Sequence, residues 1–132
     1  MKYLVDSDYV ADYLKGRSPA TQLLSELFSD GLAINIITFA EVYEGIYYGH
    51  KPSYYAEIFQ RFLHGVPVLG ITRSIAKQYA LLCGELAHKG QLIDQPDIFI
   101  AATALYHNLT LVTRNLKEYD RIPQLAFYPS AA

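Results

Sequence analysis

Short apolar runs alternate with longer stretches of helical periodicity, and that alternation constrains the fold more than any other feature. Tyr3-Leu4-Val5, residues 32–36, Val66-Pro67-Val68-Leu69 and Thr110-Leu111-Val112 read as buried strands, with Leu125-Ala126-Phe127 a candidate fifth. Pro67 removes a ladder donor and limits the pairing of its strand. The stretches between carry one apolar face repeating every three to four residues. Ala20, Leu23, Leu24, Leu27 and Phe28 form such a face, behind Ser18-Pro19 as N-cap and first-turn proline, with Gly31 as the stop. Other helices are predicted over 7–15, from Thr38 to about Gly49, through Tyr55, Ile58, Phe59, Phe62 and Leu63, over 73–89, and through Ile98, Ala101, Ala102, Leu105 and Tyr106 to Asn108. Strands separated by helices call for a parallel sheet covered on both faces. The expected fold is therefore α/β, with four to five mostly parallel strands between helical layers. Such sheets place their sites beyond the carboxyl ends of the strands.

With 132 residues, 52% of them apolar, one domain over 1–132 with its own core is expected. The net charge of −2 excludes holding nucleic acid by bulk positive charge. A lone cysteine, Cys83, excludes an internal disulfide and points to the cytoplasm. No apolar run approaches the roughly 18 residues of a membrane span. The run from Met1 to Asp6 is too short for a secretory signal core.

The acidic residues fall at telling places. Asp6 directly follows the first strand. Glu41 and Asp97 lie in the first turns of predicted helices, one after the second strand and one leading into the fourth. Asn115 comes just after the fourth strand. All four can share one sheet edge. Converging carboxylates suit hard divalent cations such as Mg²⁺ or Mn²⁺, which activate water and neutralise a phosphodiester. Each acid also has a structural reading. Thr38-Phe39-Ala40-Glu41 fits a capping box, Asp94 with Asp97 looks like a second helix start, and Asp6 or Ser7 can cap the first helix. First-turn acids also complement the helix dipole, by about 0.3–1 kcal/mol each. Spacing leaves both readings open.

Three motifs then stand in order. Tyr3-Leu4-Val5-Asp6-Ser7-Asp8 comes first, and Ile37-Thr38-Phe39-Ala40-Glu41-Val42-Tyr43-Glu44-Gly45 second. The third runs from Asp97-Ile98-Phe99-Ile100-Ala101-Ala102-Thr103-Ala104 to Leu111-Val112-Thr113-Arg114-Asn115. In order, interval and chain length they resemble the PIN-domain ribonucleases, in particular the VapC toxins of toxin–antitoxin pairs. The resemblance covers nearly the whole chain. It implies a three-layer α/β/α PIN fold and a metal-dependent endoribonuclease, with Asp6, Glu41 and Asp97 as its catalytic, metal-binding acids. It also implies Mg²⁺ or Mn²⁺ as cofactor, RNA as substrate, an antitoxin laid across helices near the site, and a homodimer.

Where the family often has a fourth acid, this chain has Asn115. Its amide oxygen can ligate directly or through water but brings no charge; Asp94 or Asp8 are candidates to supply it. Ser7 and Thr38 match hydroxyl positions beside the acids and are candidates to orient carboxylates or waters. Arg114 either holds a phosphate or pairs with an acid.

Other features point to bland roles. His50, His64, His88 and His107 have no ligand-like spacing and fall near predicted helix ends. Tyr43, Tyr47, Tyr48, Tyr54 and Tyr55 cluster as core or interface. Leu23, Leu27 and Phe28 belong to the core or to the antitoxin groove. Lys15, Arg17, Lys51, Arg73, Lys117 and Arg121 are scattered, and sequence does not say which of them line an RNA path. Two rival functions stand beside the nuclease. One is a non-catalytic PIN-like module binding RNA or protein. The other is a haloacid-dehalogenase-like phosphatase with Asp6 as nucleophile.

Overall fold

Alternation within the strands splits the apolar residues between two cores. Tyr3, Val5, Leu32, Ile34 and Val112 enter one core, while Leu4, Ala33 and Leu111 enter the other. A strand buried on both faces reads as an unbroken apolar run, as these do. The computed structural model describes residues 1–128; the last four residues of the expected domain lie outside them. The strands are β1 (Tyr3–Val5), β2 (Leu32–Asn35), β3 (Val68–Leu69), β4 (Thr110–Val112) and β5 (Phe127–Tyr128). They pair in the order β3-β2-β1-β4-β5, and every pairing is parallel.

The helices are α1 (Ser7–Leu14), α2 (Ala20–Leu27), α3 (Ile36–Tyr48), α4 (Pro52–Phe62), α5 (Arg73–His88), α6 (Gln95–His107) and α7 (Leu116–Tyr119). Val10 of α1, Leu24 of α2, Val42 of α3 and Phe59 of α4 fill the first core. Leu82 of α5, Ile98 of α6 and Tyr119 of α7 fill the second. Each fully buried aliphatic side chain contributes about 1.5–3 kcal/mol relative to leaving it in water. The result is the expected three layers. No helix among the described residues is long and apolar enough to cross a membrane. Cys83 is a free, half-buried thiol.

Several boundaries differ from expectation. Asn35 caps α3, so the helix opens at Ile36 rather than at Thr38. The Asn35 carboxamide oxygen accepts from the Ile37 N–H at 2.6 Å. Pro19, not Ser18, holds the N-cap position of α2, and no side chain caps that helix. β3 begins at Val68; the carbonyl of Pro67 still accepts from the Ile34 N–H, but the proline has no N–H to return. Leu125 is buried in the core and the fifth strand falls at Phe127–Tyr128. The single turn of α7 was too short for its periodicity to show. Leu27 is core, with Leu23 and Phe28 packed against it.

Asn35 is fully buried, and its second role is structural glue. Its amide donates to the Thr103 hydroxyl at 2.7 Å, and that hydroxyl donates to the Phe99 carbonyl at 2.8 Å. The start of α3 is thereby tied to the middle of α6. Asn35→Ala removes the cap and leaves polar groups without partners in the core. It should lower the unfolding free energy by about 2–4 kcal/mol in a urea titration.

Candidate active site

The chain passes from β1 to β2 and β3 on one side of the sheet, then crosses to β4 and β5 on the other. A crevice opens at such a reversal, beyond the carboxyl ends of the strands. Asp6 follows β1 on one side of it, and Thr113, Arg114 and Asn115 follow β4 on the other. Helix α6 runs back toward β4, so its first turn, with Asp97, reaches the same edge. Helix α3 starts at the end of β2 and brings Glu41 in its second turn.

Asp6 is 6% exposed. One carboxylate oxygen accepts from the Ser7 N–H at 2.9 Å, which makes Asp6 the cap of α1. The other accepts from the Thr113 hydroxyl at 2.8 Å. That hydroxyl accepts in turn from the Asn115 N–H at 3.0 Å. Capping therefore uses only one of the two oxygens. Burial pushes the carboxyl above the usual range, and the bonds from Thr113 and Ser7 offset part of the rise.

The earlier start of α3 overturns the capping-box reading of Glu41, because no acid lies in the first turn. Burial raises its pKa, and the charge of Asp6 adds to this. Asp97 and Asp8 push the same way, while the Ser7 hydroxyl opposes them. Thr38 is buried, and its hydroxyl has no hydrogen-bond partner. It neither caps α3 nor holds a carboxylate.

Asp97 lies in the first turn of α6, but side chains from beyond β4 hold it. Its Oδ1 accepts from the Tyr119 hydroxyl at 3.2 Å and its Oδ2 from the Asn115 amide at 3.3 Å. Asp94 occupies the N-cap position, yet its side chain makes no capping bond. Burial, then the charge of Asp6, lift Asp97 to about 6; Asp94 and Glu118 add to the rise and the Tyr119 bond opposes it. Asp8 on the Glu41 side, and Asp94 and Glu118 beside Asp97, add negative charge around the site.

Arg114 pairs with an acid, although with none of the three. Its guanidinium lies 2.9 Å from Asp12 and over the ring of Tyr9. Among the described residues, no lysine or arginine forms an ion pair with Asp6, Glu41 or Asp97. No three His, Cys, Asp or Glu side chains there stand close enough to share one ion. The charge of Asp6 reaches both Glu41 and Asp97, and that of Asp97 reaches Glu41. Sequence reasoning missed Tyr119 and Glu118. A spacing of four residues from Asn115 to Tyr119, one helical turn, was the available signal.

The fold and site define a class: an open parallel α/β domain whose switch-point crevice is acidic and built from oxygen donors. The PIN domain family matches residues 3–125, and this chain belongs to that family. Ribonuclease VapC1 of Methanocaldococcus jannaschii is 34% identical over 123 residues, covering 93% of this chain and 82% of that protein. Ribonuclease VapC2 of Haemophilus influenzae is 30% identical over 124 residues, covering 92% of each. Among solved structures, VapBC2 from Rickettsia felis bound to a DNA fragment from their promoter superposes with a TM-score of 0.86. It is 29% identical, over 96% of this chain and 97% of that one.

The raised pKa of Asp97 has a sign that can be tested. The folded state holds its proton more tightly than the unfolded chain does. Stability from this group is therefore greatest on the acid side and is lost as pH rises from about 4 to about 6. Asp97→Asn removes the ionised form. In chelator-containing buffer it should raise the melting temperature by about 3–5 °C near neutral pH, with the gain vanishing below about pH 4. A helix-capping acid would instead leave the variant less stable at neutral pH.

Proposed function

We propose that this chain is an endoribonuclease of the VapC kind. In this reading it hydrolyses RNA phosphodiesters with a divalent cation, Mg²⁺ or Mn²⁺, and is restrained by a cognate antitoxin. One observation carries the proposal. Burial raises the pKa of Asp6, Glu41 and Asp97 at the sheet's switch point, the charge of Asp6 adds to the rise at both Glu41 and Asp97, and among the described residues no lysine or arginine forms an ion pair with any of them. An oxygen-only, net-negative donor set fits a hard cation. Asp6, Glu41 and Asp97 stand too far apart for all three to ligate one ion directly, so they would hold it in part through its own waters, with the Asn115 amide oxygen as a neutral fourth donor. When bound, the ion supplies an activated water and offsets phosphodiester charge.

The chain's own residues do the rest. Thr113 and the Ser7 N–H fix both oxygens of Asp6. Tyr119 and Asn115 fix those of Asp97. Tyr119 is fully buried, and burial together with the neighbouring carboxylates keeps its phenol protonated as a donor. Without a cation, burial and the charge of Asp6 hold the Asp97 carboxyl up at about 6, so binding a cation there would release its proton. No side-chain nucleophile is needed.

The relatives named as ribonucleases support RNA as the substrate, and the VapBC complexes support an antitoxin partner. Tyr47, Tyr48 and Tyr54 are exposed, and this tyrosine surface suits protein contacts, including those of a homodimer. We place the protein in the cytoplasm, where Cys83 stays a thiol.

The purified, antitoxin-free protein should cut total cellular RNA into discrete fragments with Mg²⁺ or Mn²⁺ and not with EDTA. Asp6→Asn and Asp97→Asn should each reduce the rate by at least about 100-fold while remaining folded. A folded protein that neither cuts RNA nor binds metal would contradict the proposal.

A further inference from the structure

Beside the acidic crevice runs a groove of about 460 Å³ between α1, α3 and the start of α4. Ser7, Asp8 and Glu41 line one end. Lys15, Arg17 and His50 line the other, at the far ends of α1 and α3. The eight residues of α1 separate the two ends by roughly 12 Å. We propose that this groove carries one arm of the RNA strand away from the acidic centre. Lys15 and Arg17 hold its phosphates, and the strand passes over the bare backbone at Gly45. The inference rests on the ribonuclease reading and names the substrate track of that same site.

Three observations support this. First, the basic end is built into the fold. Gly16 has φ +69°, its N–H bonds the Tyr13 carbonyl at 3.1 Å, and the Arg17 N–H bonds the Asp12 carbonyl at 2.9 Å. This is a Schellman turn, and it fixes the backbone at Lys15 and Arg17 where α1 ends. Second, Arg17 is held only by a long, exposed ion pair that a phosphate can replace. The Asp12 carboxylate is engaged by Arg114 at 2.9 Å and lies 3.7 Å from Arg17, whose side chain is 63% exposed.

Third, Gly45 sits inside α3, where glycine costs about 0.5–1 kcal/mol relative to alanine. A Cβ added there would meet nothing within 4 Å. The fold therefore does not require this glycine, and its effect is to leave backbone open to the groove. Tyr55 lines the same groove and offers aromatic surface to a base. An acidic end beside a basic one fits a polyanion. The phosphate to be cut sits among the carboxylates with their cation, and its neighbours sit against Lys15 and Arg17.

The test measures binding of a labelled single-stranded oligoribonucleotide of mixed sequence to the full chain carrying Asp97→Asn. Cleavage of total RNA is followed in the otherwise unaltered chain. Lys15→Ala with Arg17→Ala should weaken binding about tenfold and reduce the salt slope by about 1.4. In cleavage it should raise KM more than it lowers kcat. Gly45→Leu should weaken binding to a similar degree with an unchanged or higher melting temperature; Gly45→Ala, which adds one methyl, should show a smaller loss.

If these variants bind and cleave like the parent while the parent cuts RNA, the groove proposal is overturned and the ribonuclease reading stands. The groove then belongs to another occupant, such as a protein segment. Groove-dependent RNA binding by a parent that cuts nothing would support the track and remove the nuclease reading. RNA neither bound nor cut would overturn both.

Discussion

The hydrogen bond from Asn35 to Thr103 joins the two helices that bring Glu41 and Asp97 to the sheet edge. Both ends are fully buried, and both side chains have a second bond, one to the Ile37 N–H and one to the Phe99 carbonyl. Groups satisfied in this way hold one arrangement, because any shift would strand a polar atom in the core. The scaffold needs that rigidity. Burial raises the pKa of all three carboxylates, the charge of Asp6 adds to the rise at Glu41 and Asp97, and hydrogen bonds from Thr113, Ser7 and Tyr119 offset part of it. Stability spent on burying ionisable groups in this way is characteristic of a working site.

Much of the fold was legible in the sequence because the parallel strands are buried on both faces. Tyr3-Leu4-Val5 and Thr110-Leu111-Val112 need no partner information to be read as strands, and both fall where expected. The long helices were equally plain from their periodicity. What failed was local punctuation. Thr38-Phe39-Ala40-Glu41 satisfies the capping-box pattern, yet Asn35 caps the helix one turn earlier. Competing polar residues near a helix start cannot be ranked without knowing which one is buried beside a partner on another element. Asn35 has that partner in Thr103, and Thr38 does not.

The candidate site shows the same limit. The three acids, and their place at one edge, followed from the order of strands and helices. Their supporting residues did not. Tyr119 reaches Asp97 from a one-turn helix with no periodicity to announce it. Arg114 was open between a phosphate and an acid, and Asp12, on the next turn of α1 from Asp8, decided it. Asn115 looked like a lost charge. In place it donates a hydrogen bond to Asp97, and Asp8, Asp94 and Glu118 add negative charge nearby.

The central claim is that these carboxylates form one site that calls for a cation. Calorimetric titration of Mn²⁺ into the isolated protein near pH 6, in two buffers of different ionisation enthalpy, tests it most directly. The account predicts saturable binding, proton release as Asp97 gives up its proton, and markedly weaker binding in Glu41→Gln. No binding, or equal binding by Glu41→Gln, would contradict it.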